Sequence, residues 1–278
     1  MVRVGYLAAA TSFDGIVHSV FARACNIAVP FGLLTVAAHG LADGPSVWRV
    51  SSNTVADFTS LFAPGERLRC RKSVAHTRDV ALDLTNAEMW RPPPPPWPSG
   101  ERLDANLRHA NAALDERRVR VVPSVIDREA QASLRALEDA CRRLDVQSAT
   151  AQAHRLIGWG EGLTPAGDDA LVGILASLRA VSCADAHRAL FLRSLSLAVA
   201  SRVARTTIVS AHYLRLAAQG HFNADVTRLI DAFVGDGTED GSGLREALEA
   251  VLDVGATSGA DMVAGMIAGL RAWAPMRQ

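Results

Sequence analysis

Lysine is almost absent from this chain. Of its 29 basic residues only Lys72 is a lysine; the others are arginines. Schiff-base chemistry therefore has one candidate, and a bound anion must be held by arginine or by backbone N–H groups. Cysteine is scarce as well. Cys25, Cys70, Cys141 and Cys183 never fall at CxxC spacing, so neither a zinc site nor a dithiol redox motif is indicated. Net charge is missing: 29 basic residues face 29 acidic ones, which excludes the electropositive surface of bulk nucleic-acid or anionic-membrane binders. No apolar run is long enough to span a bilayer. The N-terminus has no charged segment followed by an apolar run and a cleavage site. These absences point to a cytoplasmic protein with reduced thiols that engages neither nucleic acid nor membrane.

The 278 residues, 49% of them hydrophobic, suffice for one large domain or two ordinary ones with proper cores. The composition changes along the chain. Residues 1–91 are short apolar runs broken by His39-Gly40, Asp43-Gly44-Pro45 and Pro64-Gly65, all turn signals. Leu33–Ala37, Ser46–Val50, Leu68–Arg71 and Val80–Leu84 read as strands. This predicts a β-rich, barrel-like domain. Residues 92–100, with five consecutive prolines counted from Pro92, read as a stiff connector. From 101 to 278 helical spacing dominates, with one long helix or two between Asp185 and Gln219. The expected class is α+β: a β-rich, barrel-like N-terminal domain followed by a mainly α-helical one with glycine-rich, anion-binding loops.

The densest punctuation is Gly158-Trp159-Gly160-Glu161-Gly162-Leu163-Thr164-Pro165-Ala166-Gly167-Asp168-Asp169, followed at once by an apolar helical pattern. Thr164 fits an N-cap and Pro165 the first helical turn. Such a loop turns backbone N–H groups toward the positive end of a helix, where anions bind. The spacing from Gly162 to Gly167 imitates a Walker A loop, but Asp168-Asp169 stands where Lys-Ser/Thr belongs, so a nucleotide P-loop is rejected. The two aspartates themselves complement the helix dipole.

Three further stretches carry polar side chains in apolar surroundings. Ser19, Arg23 and Asn26 form either a polar strand edge or a patch for a carboxylate or amide. Arg202, Thr206 and Ser210 recur every four residues, which on a helix gives one face, with Arg205 and Thr207 beside it. Buried hydroxyls and arginine need partners, and a bound anion would supply one. Thr257-Ser258-Gly259-Ala260-Asp261 opens another apolar helix. Asp169, Gly173 and Leu178 recur in their intervals as Asp261, Gly265 and Leu270. That repetition predicts two loop–helix units whose N-termini converge on one ligand.

Taken together, Gly160-x-Gly162-Leu163-Thr164-Pro165-x-Gly167-Asp168-Asp169, Arg205-Thr206-Thr207-x-x-Ser210, Thr257-Ser258-Gly259-x-Asp261 and His18-Ser19-Val20-Phe21-x-Arg23-Ala24-x-Asn26 resemble the AllH family of oxamate carbamoyltransferase subunits. The resemblance runs from about Gly15 to Leu270. It implies carbamoyl transfer between carbamoyl phosphate and oxamate, giving oxalurate and phosphate, with the reverse direction used in allantoin breakdown. It also implies partner subunits, one resembling an acyl-CoA synthetase. On that footing Asp168, Asp169 and Arg205 are the catalytic candidates. Substrate contacts fall to Ser19, Arg23, Asn26, Gly160, Gly162, Thr164, Gly167, Thr206, Ser210, Thr257, Ser258, Gly259 and Asp261. No cofactor is required. Two alternatives stand: a non-catalytic scaffold subunit, and a hydrolase holding Mg²⁺ at Asp168, Asp169 and Asp261.

Overall fold

The computed structural model describes residues 2–50, 57–93, 102–120, 128–182, 185–235 and 241–273. The chain divides into two compact units, Met1–Pro93 and Pro94–Gln278, and the class is α+β. Of the connector, residues 94–100 lie outside the described residues, as does Cys183.

The first unit is one curled sheet of nine strands among the described residues: β1 (Val2–Gly5), β2 (Phe13–Val20), β3 (Ala24–Val29), β4 (Gly32–Ala37), β5 (Val47–Val50), β6 (Arg67–Arg71), β7 (Val74–His76), β8 (Ala81–Asp83) and β9 (Glu88–Trp90). Their order is β8-β7-β6-β2-β3-β4-β5-β1-β9. Pairing is antiparallel except β4 with β5 and β1 with β9. The sheet stays open between β8 and β9, which makes it a half-barrel. Those two edge strands are only three residues long, which limits the unpaired backbone they present. Alternation sets the faces: in β2 from Phe13 to Val17 and throughout β6 every second residue is buried. Trp48, Ile27, Leu34 and Leu68 fill the concave core, and the Trp48 indole donates to the Ala8 carbonyl at 2.9 Å. The polar run from Val17 to Asn26 is a hairpin of β2 and β3, with Phe21 N–H bonded to the Ala24 carbonyl. A register slip between Val17 and Ser19 sets Ser19 opposite Asn26.

The second unit has, among the described residues, α1 (Leu103–Arg120), α2 (Arg128–Arg143), α3 (Val146–Leu156), α4 (Ala166–Val181), α5 (Ala186–Arg202), α6 (Ile208–Gln219), α7 (Ala224–Val234), α8 (Ser242–Leu252) and α9 (Ser258–Trp273). Helices α4 and α9 are buried on nearly all sides, as expected for helices apolar all round. One core cluster, with Leu137, Leu156 and Trp273, and a second, with Phe233, Leu248 and Met266, both include residues of α4 and α9.

Of the one or two helices expected between Asp185 and Gln219, the structure has two, α5 and α6. A short 3-10 turn, Val203–Arg205, follows α5. Thr206 is extended, and Thr207 caps α6 by accepting from the Ser210 N–H at 3.0 Å. Arg202, Thr206 and Ser210 therefore do not share one helix face. Gly220, at φ +83°, closes α6 in the left-handed conformation.

Candidate functional site

After α3 the chain reverses through Gly158, Gly160 and Gly162, which hold φ values of +76°, +111° and +90°. Only glycine adopts these without strain. Gly158 also has no room for a side chain, since a Cβ there would lie 2.7 Å from the Arg205 carbonyl oxygen. Gly167 closes the turn: its N–H donates to the Trp159 carbonyl at 2.9 Å, and a Cβ would sit 2.1 Å from the Leu156 oxygen. The N-cap of α4 is Pro165, with no side-chain cap. Thr164, expected at that position, is hydrogen-bonded through its hydroxyl to Ser258 Oγ at 2.8 Å.

That bond joins two loop–helix units. At Gly259 the second unit repeats the construction of Gly167, with a Cβ falling 1.9 Å from the Val251 oxygen at the end of α8. Further along, a Cβ on Gly173 would meet the Met262 oxygen at 2.0 Å, one on Gly265 the Ala170 oxygen at 2.0 Å, and one on Gly269 the Ser177 hydroxyl at 2.1 Å. Contacts thus ascend both helices together, so α4 and α9 run parallel with their N-termini at one end. The convergence of the two helix starts expected from the repeated Asp, Gly and Leu spacing is what the packing shows.

Three carboxylates lie at this end, and Asp168, Asp169 and Asp261 are 1%, 5% and 1% exposed. Asp168 accepts from the Gly158 N–H at 2.9 Å, from the Ser210 hydroxyl at 2.6 Å and from the Thr206 hydroxyl. It thereby ties the glycine-rich loop to the start of α6. Burial raises its pKa, and the Ser210, Thr206 and Gly158 bonds oppose the rise. The Thr207 hydroxyl adds a second tie, to the Leu163 carbonyl. The hydroxyls of Thr206 and Ser210, assigned above to a substrate anion, are thus engaged by the protein's own carboxylate.

Asp169 is different. Its Oδ2 is buried without a hydrogen-bond partner. Desolvation pushes its carboxyl up to about 8; the Ser258 and Thr164 hydroxyls oppose this, while Asp261 and Asp168 add to it. Among the described residues no three His, Cys, Asp or Glu side chains are grouped to hold a metal ion, so Asp168, Asp169 and Asp261 do not form the three-ligand Mg²⁺ set of the hydrolase alternative.

Arg205 opens on a different space. A cleft of about 560 Å³ lies beside the loop, lined by Glu129 and Ser133 of α2, by His154 and Arg155 at the end of α3, and by Gly158, Trp159 and Arg205. Arg155 and Arg205 enter no ion pair among the described residues. His154 Nε2 lies 3.0 Å from the Ala198 carbonyl oxygen; a carbonyl only accepts, so Nε2 carries a proton and Nδ1 is the ring nitrogen left to face other partners. His154 and Arg155 were missed in the sequence. Their signal was a basic pair in the last helical turn before the loop.

In the first unit, Ser19, Asn26 and Thr35 form one row across β2, β3 and β4. Asn26 donates to the Ser19 hydroxyl at 3.1 Å and accepts from Thr35 at 2.8 Å. Arg23 donates to the His39 carbonyl at 2.8 Å. These partners are internal.

A half-barrel unit preceding a helical unit built on paired glycine-rich loop–helix segments defines a two-unit α+β protein with a polar, arginine-flanked site. The family profile described as oxamate carbamoyltransferase subunit AllH matches residues 156–270, and that of the AllH family N-terminal domain matches residues 3–89. Together they cover most of the chain, which belongs to the AllH family. The family's name points to a subunit of oxamate carbamoyltransferase. No solved structure matches the chain. No helix among the described residues is long and apolar enough to cross a membrane.

Proposed function

We propose that this chain is the anion-holding subunit of a carbamoyltransferase that joins carbamoyl phosphate and oxamate, or in reverse splits oxalurate with phosphate, working with other subunits. One observation carries the reading: the cleft beside the glycine-rich loop presents Arg155 and Arg205 with no ion-pair partner among the described residues. Both substrates are small anions, and a guanidinium forks onto carboxylate or phosphate oxygens. In the reaction the oxamate nitrogen forms a bond to the carbamoyl carbon, the carbon–oxygen bond to phosphate breaks, and phosphate leaves with the electron pair. The nitrogen gives up one proton. In this reading His154 Nδ1 accepts it, Arg205 and Arg155 hold the anionic groups, and the backbone of Gly162, where a Cβ would meet nothing within 4 Å, is offered to the carbonyl oxygen as negative charge develops. Asp168 is then a positioning residue, fixing Gly158 against the start of α6. Thr164 and Ser258 join the two loops through their hydroxyls, Gly259 lets α9 start against the end of α8, and the same two hydroxyls reach Asp169.

One observation favours the scaffold reading. The meeting point of the two helix N-termini holds buried carboxylates, and like charge disfavours an anion there. Calorimetry separates the two. Carbamoyl phosphate, phosphate, oxamate and oxalurate are titrated, with and without Mg²⁺, into the chain alone and into the complex with its partner subunits. The anion-holding reading expects binding that weakens about tenfold or more in Arg205→Ala and in Arg155→Ala. No binding in either the chain or the complex would leave the scaffold.

A further inference from the structure

A second cleft, of about 500 Å³, opens between α4, α5 and α6 and shares no lining residue with the first. Each helix contributes one arginine to it: Arg179, Arg193 and Arg215. No aspartate or glutamate lines it. In a chain with equal numbers of basic and acidic residues, a groove of one sign is a local departure. Arg193 and Arg215 enter no ion pair among the described residues.

The positive field registers on neighbouring histidines. His212 is pushed down to about 4, chiefly by burial and then by Arg215, and His221 is lowered by burial and then by Arg179. Arg179 is seated as well as charged. A Cβ on Gly220 would lie 2.3 Å from its guanidinium carbon, so glycine at the end of α6 is what lets the guanidinium pack there. Leu192 and Leu197 supply an apolar wall, and Leu197 is 64% exposed.

A single carboxylate is matched by one guanidinium. Three guanidiniums on three helices suit a dianionic phosphate or a pyrophosphate, whose oxygens each accept from a different arginine. The volume exceeds what inorganic phosphate fills and falls in the range of small-molecule sites. An apolar wall beside the charges suits an organic body attached to the phosphate. We propose that the groove between α4, α5 and α6 binds a phosphorylated or pyrophosphorylated small organic molecule, at a site separate from the Arg155–Arg205 cleft.

The test is calorimetry on the full chain with three probes: inorganic phosphate, inorganic pyrophosphate and ADP. It is run on the wild type, on Arg193→Gln/Arg215→Gln, and on Arg205→Gln. All three arginines are exposed, and circular dichroism with thermal melting checks that each variant is folded. ADP is expected to bind about tenfold or more tightly than inorganic phosphate, and the double variant to lose about tenfold or more in that affinity. Arg205→Gln is expected to keep ADP affinity within about twofold, so failure of the carbamoyl reading does not touch this one. Three results would overturn the proposal. They are failure of both ADP and pyrophosphate to bind at about millimolar concentration, ADP binding no tighter than pyrophosphate, and a double variant that binds as well as the wild type.

Discussion

Replacing Asp169 by asparagine should stabilise the protein at alkaline pH and remove part of its pH dependence. Asp169 is 5% exposed and its Oδ2 has no hydrogen-bond partner. Its carboxyl is held up at about 8, against an ordinary value of 3.8, mainly by desolvation. Between those values the folded chain carries one proton more than the unfolded chain. Stability from this group is therefore fully present below about pH 4 and is lost as pH rises through about 8. The slope is about 1.4 kcal/mol per pH unit while the proton difference is complete. Other groups cloud the acid side: Asp231 is raised to about 6, and His212 and His221 are lowered, which gives the opposite sign. Cys25 and Cys141, pushed up to about 12 by burial, enter only above about pH 9. Across the window from about pH 6.5 to 8.5 Asp169 alone should take about 2 kcal/mol from the wild type, and Asp168, also raised by burial, acts with the same sign, so the comparison with the variant assigns the share of Asp169. The assay is urea denaturation at half-unit steps of pH. Asp169→Asn should start more stable, because its folding takes up no proton at this position, and stay nearly level. A wild-type profile that is flat over this window, or a slope that Asp169→Asn leaves unchanged, would refute the reasoning.

Two further substitutions test the packing around the site. Gly173→Ala gains about 1 kcal/mol of helix propensity, yet its Cβ would lie 2.0 Å from the Met262 carbonyl of α9. No rotamer relieves a clash with backbone, so urea denaturation should show a net loss of about 2 kcal/mol or more; a neutral or stabilising result would mean that α4 and α9 do not pack through this glycine. Ser210→Ala removes one of the three donors to the buried Asp168 carboxylate and should cost about 1–3 kcal/mol. That loss should be larger at pH 8 than at pH 5, since the donor favours the ionised form; equal losses at the two values would contradict the hydrogen bond.

Much of the helical unit is legible in the sequence because its helices are long, periodic and punctuated by glycine. The spacing shared by Asp169-x-x-x-Gly173 and Asp261-x-x-x-Gly265 was enough to pair α4 with α9. Spacing failed at Arg202, Thr206 and Ser210, since a count of four cannot reveal that Thr207 turns extended to cap a new helix. The partner of Thr206 and Ser210 was hidden for a related reason. A buried hydroxyl asks for an acceptor, and only the fold shows that Asp168, some forty residues earlier, supplies it. In the β-rich unit β4, β5, β6 and β8 were readable from short apolar runs and alternation, but the other strands, the hairpin at Phe21–Ala24 and its register slip depend on cross-strand pairing, which local pattern does not carry. Arg155 and His154 look like ordinary C-terminal helix charges until the loop folds back beside them.

Two parallel helices that start at one point bring two positive dipole ends together. Left bare, that end would repel itself or recruit an anion. Here the chain supplies the negative groups from within, and it treats them unequally. Asp168 is given three donors, which favour its ionised form. Asp169 is given too few, and burial favours its neutral form near physiological pH. Having met its own helix ends with aspartate, the loop cannot also serve a substrate phosphate through those ends, whatever its glycines suggest. An anion that binds beside it must be drawn by positive charge placed outside the helix starts. Arg205, on the turn that Asp168 anchors through Thr206 and Ser210, meets that requirement. In the proposed reading the aspartates and the arginine belong to one arrangement: the carboxylates set the geometry, and the guanidinium meets the ligand.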